Sequence, residues 1–328
     1  YIAEIAPSDK RGRLVTLYQL AIVLGINLIY FVNMQIAGLN DEAWNVDIGW
    51  RYMIGSGVIP AILFLVLLFF VPESPRWLIK RNRLEEAMDT LSRVNGKEKA
   101  REIAEEIKTT LQQESGTLKE LFAPGLRRAM IIGVMLGLFS QITGINAIIY
   151  YAPEILKTTG IGAGSAFFQT FLIGIVNTVF TFVALWLVDR AGRRKLLLGG
   201  TAGMIICLLG TGVCFYFGLL GGPWLLLFIL GYIACFASSL GPIPWIIMSE
   251  IFPTKTRGIA MSVVTLILWI GVVLITQLTP VMLESLGGAF TFWLFMVNAI
   301  ILLIFSWLKI PETKNRSLEE IEKSWKRD

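Results

Sequence analysis

Histidine is absent from the 328-residue sequence. That removes imidazole acid–base chemistry and histidine-ligated metals. Charge is sparse: Asp, Glu, Lys and Arg together make up 16% of the chain, and 55% of residues are apolar, where a soluble domain usually has about a quarter charged. Cysteine is scarce too. Cys207, Cys214 and Cys235 all fall inside apolar runs, where a thiol serves as a small buried hydrophobe and no disulfide framework or metal cluster is implied. No nucleophile, metal cluster or phosphate loop marks an enzyme, and nothing calls for a cofactor. In place of the missing charge stand eight stretches of about twenty residues free of Asp, Glu, Lys and Arg, each long enough to cross a hydrocarbon layer of about 30 Å as a helix. The fold class is an all-α, polytopic membrane protein.

The spans are expected near Leu14–Ile36, Tyr52–Val71, Ala129–Ala152, Ala166–Val188, Leu196–Leu219, Trp224–Met248, Ile259–Val281 and Phe290–Leu308. Connections between them alternate between two faces. Twenty-seven of the 29 basic residues fall on one face, leaving only Arg51 and Lys157 on the other. By the positive-inside rule both ends of this chain are cytoplasmic. The net charge of +5 therefore records orientation and contact with anionic lipid, and not a nucleic-acid partner. Trp44, Trp50, Tyr52, Trp224, Trp293, Trp77 and Trp307 sit at span ends as interfacial belts do, whereas Trp269 lies well inside its span.

Four segments follow: 1–71 with two spans, a hydrophilic linker at 72–128, six spans over 129–308, and a tail at 309–328. In the linker, Leu84, Met88, Leu91 and Val94, then Ile103, Ile107 and Leu111, recur at steps of three and four. This predicts two short amphipathic helices split at Asn95-Gly96, serving as a solvated connector or as a latch between halves.

The phrase Glu4-Ile5-Ala6-Pro7-Ser8-Asp9-Lys10-Arg11-Gly12 returns as Glu250-Ile251-Phe252-Pro253-Thr254-Lys255-Thr256-Arg257-Gly258, identical at five of nine positions. Each copy opens a pair of spans, and each pair ends in a related phrase, Pro72-Glu73-Ser74 and Pro311-Glu312-Thr313. Two parallel halves are implied. Four spans precede the second copy and none the first, so symmetry predicts a parent of twelve spans and roughly 450 residues, two halves of six. A chain holding one full half and two helices of the other is expected not to transport by itself.

Several polar groups sit where they are expensive. Gln141, Asn146 and Asn177 fall near mid-bilayer, and an unpartnered amide there costs several kcal/mol. Asn146 and Tyr150, four apart, share a helix face, and Gly144 permits a bend that brings Gln141 to the same place. Spacing alone fits a neutral-polyol site and interhelical hydrogen-bond glue equally well. Gly241-Pro242-Ile243-Pro244 cannot hold a regular helix, so the span breaks there as a gate or as a passive kink.

With Pro72-Glu73-Ser74-Pro75-Arg76-Trp77-Leu78, Gln141-Ile142-Thr143-Gly144-Ile145-Asn146 followed by Tyr150-Tyr151, Asp189-Arg190-Ala191-Gly192-Arg193-Arg194, Gly241-Pro242-Ile243-Pro244-Trp245 and Pro311-Glu312-Thr313-Lys314, the chain resembles the sugar porter family of the major facilitator superfamily along its whole length. Trp50-Arg51-Tyr52 and Tyr1-Ile2-Ala3-Glu4 look most similar to bacterial xylose/proton and related pentose or hexose symporters. The resemblance implies a major facilitator fold and sugar transport by alternating access across the plasma (inner) membrane. Gln19, Gln141, Asn146, Asn177, Trp245 and Trp269 would line the sugar site, with Gly241 beside them and Tyr150 and Tyr151 at the outer gate. It further implies a cytoplasmic latch of Glu4, Arg11, Glu73, Asp189, Arg193, Arg194, Glu250, Arg257 and Glu312. Arg193 and Arg194 would pair with Glu250, and Arg11 and Arg257 with Glu73, Glu312 or their neighbours. Two departures stand out: Ser140 precedes Gln141 where the family usually has a glutamine pair, and Leu268 precedes Trp269 where an amide is common. The implied partners are a small-molecule sugar, a proton and membrane lipid, with the protein a monomer. No Asp or Glu lies deep in these spans, and the coupling Asp of the family belongs to a first helix not present here, so symport and uniport both stand, as does a porter-like sugar receptor.

Overall fold

The computed structural model describes residues 11–113, 118–157, 163–221, 223–253 and 256–312. Glu4 lies outside them, as do the side chains of Arg11 and Asp189. Among the described residues every regular element is helical. Among the described residues eight helical stretches are long and apolar enough to cross a membrane, and they match the eight expected spans to within about five residues at each end, except that the second begins at Glu42, well before the expected Tyr52.

The first span, α1 (Arg11–Ala37), and the second, α2 (Glu42–Leu68), form a hairpin. Its tip is closed by Asp41, whose carboxylate accepts from the Trp44 amide at 2.9 Å, and by Asn45, whose Nδ2 donates to the Ala37 carbonyl at 2.9 Å. The cytoplasmic segment then carries α3 (Pro75–Lys80), α4 (Leu84–Asn95) and α5 (Lys97–Gln113). Gly96, at φ +82, separates the last two as expected. The extra helix α3 begins at Ser74, whose hydroxyl caps the Trp77 amide, with Pro75 at the first helical position, where its missing N–H costs nothing. The expected apolar face is largely the one used: Leu91 is buried and Met88, Ile103 and Ile107 pack against a small core that Leu78, Ile79, Ala87, Ala100 and Ala104 complete, while Leu84 and Val94 are exposed.

The six-span bundle comprises α6 (Pro124–Ile142), α7 (Ile145–Lys157), α8 (Ala163–Ala191), α9 (Arg193–Tyr216), α10 (Pro223–Ser238), α11 (Ile243–Ile251), α12 (Arg257–Ser285) and α13 (Gly287–Lys309). One continuous core from Leu121 to Ile310 unites it. Here α9 packs between α10 and α13, α6 lies along α12, and α8 touches α10 on one side and α1 on the other. That last contact joins the hairpin to the bundle. Phe31 and Phe171 meet with ring centroids 5.6 Å apart, and a methyl at Gly174 would come within 2.7 Å of Asn27 Oδ1 and 3.0 Å of the Tyr30 ring, so glycine lets the helices approach without displacing either side chain.

Candidate functional site

Two spans are broken, and the breaks face one cavity. Between α6 and α7 the chain turns at Thr143-Gly144, with Gly144 at φ +92 and the Phe295 ring against the position a Cβ would occupy. A side chain there is excluded by backbone conformation and by space. The turn frees carbonyls inside the bilayer, where no water can satisfy them. Tyr232 Oη, fully buried, donates to the Thr143 carbonyl at 3.0 Å, and Asn298 Nδ2 donates to that of Ile142 at 3.3 Å.

The second break runs from Ser239 to Pro242, between α10 and α11. It satisfies itself locally. The Gly241 amide donates to the Phe236 carbonyl at 2.9 Å, and the Ser238 and Ser239 hydroxyls to that of Cys235 at 3.1 and 2.6 Å. Pro242 and Pro244 open α11 at positions where helical N–H groups have no partner in any case.

The cavity between these breaks has a volume of about 130 Å³. Gln19, Ile22, Val23 and Ile26 line it from α1; Gln141, Ile145, Asn146 and Ile149 from the first break; Asn177 and Thr181 from α8; and Phe236, Ala237, Gly241 and Pro242 from the second. Both the hairpin and the bundle contribute walls. Asn146 Nδ2 donates to Gln141 Oε1 at 2.7 Å, and Gln141 Nε2 to Ser140 Oγ at 3.0 Å, whose own hydroxyl is anchored on the Gly137 carbonyl at 2.8 Å. The serine that replaces a second glutamine thus orients the one that remains. The remaining Asn146 Oδ1 and the Asn177 amide supply both donors and acceptors among Ile and Val side chains. An uncharged, hydroxyl-bearing solute with an apolar face fits that inventory.

Of the residues expected at the site, Gln19, Gln141, Asn146, Asn177 and Gly241 meet at the cavity. Four aromatics do not line it. Trp245, Trp269 and Tyr150 are 40%, 56% and 52% exposed. Tyr151 turns instead to a larger cleft of about 510 Å³ with Phe215, Pro280 and Glu284, its hydroxyl bonded to the Thr276 carbonyl at 3.0 Å. Leu268 is buried against Gly137 and offers the site nothing polar. Sequence reasoning missed Thr181 and Tyr30. Thr181 follows Asn177 by one helical turn, a spacing that places both on one face. Tyr30 Oη donates to the Ile149 carbonyl at 2.6 Å and so ties α1 to α7 just beyond the cavity.

The cytoplasmic charges form a second cluster. Arg193 Nη2 meets Glu250 Oε1 at 3.3 Å, joining the start of α9 to the end of α11. Arg257, expected to pair with Glu73, Glu312 or a neighbour, donates its Nε–H to the Phe252 carbonyl at 3.2 Å. The Glu312 carboxylate receives the backbone amides of Arg193 and Arg194 at 3.0 and 3.2 Å. A helix start exposes unpaired N–H groups and positive dipole, so a carboxylate is the natural cap. Gly192, at φ +90, makes room for it, since a Cβ there would lie 2.8 Å from Glu312 Oε2. Arg194 in turn donates to the Trp307 carbonyl. Glu73 is exposed and near Arg83. These bonds hold helices of one bundle together.

The family model described as Sugar (and other) transporter matches residues 1–325. The arabinose-proton symporter of Bacillus subtilis is 44% identical, over 99% of this chain and 70% of that protein. The D-xylose-proton symporter of Escherichia coli K12 is 39% identical over 99% and 67%. The glucose facilitated diffusion protein of Zymomonas mobilis is 36% identical over 99% and 70%. Among solved structures, the inward-open xylose transporter of E. coli superposes with a TM-score of 0.85 at 38% identity, covering 99% of this chain and 68% of that one. The form bound to 6-bromo-6-deoxy-D-glucose gives 0.80 at 39%, covering 99% and 69%.

Proposed function

We propose, from the premise that this chain belongs to the Sugar (and other) transporter family, that it serves proton-coupled transport of a pentose or hexose, with the Gln141–Asn146 amide pair as the centre of its sugar site. The protein is an integral membrane protein of that major facilitator class. The observation that carries the site assignment is the preorganised amide pair at a cavity walled by two broken spans and by both parts of the chain. Gln19 on α1 would hold the sugar from one side, and Gln141, Asn146 and Asn177 from the other. A site divided in this way is exposed to opposite sides when the two walls rock against each other. Trp245 and Trp269 would close over an apolar ring face as the walls approach, and Tyr150 and Tyr151 would cover the outer side. Arabinose and xylose, named in the two symporters above, are the first substrates to test.

The same reading gives the cytoplasmic cluster a role. Helix α11 is nine residues long, about 13 Å at helical rise. It begins after the Gly241-Pro242 break and carries Glu250 in its last turn. Any swing of α11 about that break separates Glu250 from Arg193, so one partly buried ion pair opposes the motion. Glu312, capping the start of α9, keeps Arg193 in place. Glu4, Arg11, Glu73, Asp189 and Arg257 would complete the latch around them. On this reading both ends of the chain are cytoplasmic, as the positive-inside rule suggests, and the protein works as a monomer in contact with anionic lipid.

Uptake of labelled arabinose, xylose, glucose and galactose into a transport-null cell that expresses the parent protein, with and without a protonophore, tests this reading. The expected result is saturable uptake of at least one pentose that the protonophore abolishes. Uptake that survives the protonophore identifies facilitated diffusion, as named for the Z. mobilis relative. Sugar handling unchanged by Gln141→Ala removes the site assignment.

A further inference from the structure

A proline inside a helix has no N–H to give the carbonyl four residues before it, and its ring pushes that carbonyl aside. Two spans of the bundle carry one, Pro153 in α7 and Pro280 in α12. The carbonyls they free are those of Ile149 and Thr276, and in the hydrocarbon layer such a group must find a partner within the protein. Each finds a tyrosine on another helix. Tyr151 Oη of α7 donates to the Thr276 carbonyl of α12 at 3.0 Å, and Tyr30 Oη of α1 donates to the Ile149 carbonyl of α7 at 2.6 Å. The first bond lies within the bundle. The second crosses from the hairpin to the bundle, and its donor is aimed by packing, because the Tyr30 ring lies 3.0 Å from where a Cβ on Gly174 of α8 would stand. Tyr30 follows Gln19 by eleven residues on α1, about 16 Å further along the helix. It therefore sits at the end of the cavity away from the Arg193–Glu250 pair.

We propose that Tyr30 is a positioning residue for the rocking of the two walls: docked on the carbonyl that Pro153 frees, its hydroxyl is a strut that holds α1 against α7 and keeps that end of the cavity shut. The proposal rests on the alternating-access reading above. Tyr151 is tied to its own bundle and moves with it, whereas the Tyr30 bond spans the seam and must break whenever the walls part there. The break is cheap in one direction only. Once the seam opens, water reaches both the hydroxyl and the carbonyl and replaces the lost bond. Closed, the carbonyl has no donor on its own helix, so the strut re-forms at one place. Proline thus turns a backbone group of α7 into a docking point for the other wall.

The parent protein, its native cysteines changed to alanine, is labelled with spin probes at Leu39→Cys in the hairpin tip and Leu219→Cys beyond α9, both exposed sites. In lipid nanodiscs, double electron–electron resonance then measures the ratio of molecules with these ends apart to molecules with them together. Tyr30→Phe should raise that ratio about threefold, the worth of one average hydrogen bond between membrane helices. Pro153→Ala restores an N–H for the Ile149 carbonyl inside α7 and should raise it similarly, and the double variant should go no further than either single one. An unchanged ratio in Tyr30→Phe, or a full threefold effect of Tyr30→Phe on top of Pro153→Ala, overturns the proposal. Should Pro153→Ala fail to accumulate, Tyr30→Phe alone decides. The distances are read with no sugar and no proton gradient, so a failure of sugar uptake would strike the transport reading while these ratios judge the strut.

Discussion

The hairpin α1–α2 and the bundle α6–α13 are equally apolar, yet within this chain, which spans about 70% of the relatives' length, the bundle buries far more of that character. No residue in the most apolar stretch of α2 is buried and only 11% of that of α1 is, against 56% for the α6–α7 span. In the bundle, Gly133, Gly144, Gly212 and Gly288 are notches that receive Phe252, Phe295, Trp293 and Phe215, while Gly199 and Gly258 face open space; in the hairpin nothing approaches Gly25 or Gly55, and Gly49 is filled by its own neighbours Asn45 and Trp44. Hydropathy identifies what crosses the bilayer; small residues opposite large ones decide what packs.

The sharpest way to break this contrast is to fill a notch in each region. Gly144→Leu forces a side chain into the Phe295 ring from a left-handed backbone, so loss of the folded bundle, costing more than about 3 kcal/mol, is expected in thermal melts. Gly55→Leu, made in open space, should leave the melt unchanged. A comparable cost at both sites would erase the distinction.

A smaller effect is expected at the cap that closes the bundle. Glu312→Ala strips two amides at the start of α9 of their acceptor, for a loss of about 1–2 kcal/mol, while Glu312→Gln should recover part of it. Glu73→Ala, at the related position after the hairpin, should cost nothing measurable. Smaller still is the tie between the two regions. Tyr30→Phe removes one bond from α1 to the Ile149 carbonyl, worth about 0.6 kcal/mol by the average for membrane helices. It should appear as faster cysteine labelling or proteolysis along the α1–α8 contact, with the bundle melt unchanged.

The cytoplasmic helices offer the mildest test, because they unfold separately from the spans if their core is their own. At the start of α4, Arg83 donates two bonds to Glu86, which holds that carboxylate below its ordinary range. A depressed carboxylate contributes stability that is present above its unfolded value and lost as the pH falls through the folded one. The pair is exposed, so the slope is shallow. Helicity of α3–α5 should decline slightly on acidification, and Glu86→Gln should flatten that dependence.

These contrasts also explain what could be read before any coordinates. Eight spans and both breaks follow from composition, since long charge-free runs, Gly144 and the Gly241–Pro244 phrase act through backbone chemistry that is local. The amide pair follows nearly as well, because the turn at Gly144 is what lets Gln141 and Asn146, five apart, converge. Glu312 is a different case. It caps α9 from 119 residues away, and no local pattern distinguishes that use from pairing with Arg257. Tyr232 and Asn298, which satisfy the carbonyls freed at the first break, look like ordinary span residues until three helices are assembled around them. The tryptophans illustrate the same limit: being deep in a span places Trp269 by depth but leaves its face undetermined.

The central claim is that the Gln141–Asn146 pair is the heart of a sugar site shared by hairpin and bundle. Equilibrium binding of labelled arabinose and xylose to the purified chain in lipid nanodiscs, for wild type, Asn146→Ala and Gln19→Ala, tests it most directly. Losing one or two hydrogen bonds to a neutral sugar should weaken binding about tenfold or more for Asn146→Ala, with a lesser loss for Gln19→Ala and unchanged melting for both. Sugar binding that survives Asn146→Ala at full affinity would contradict it.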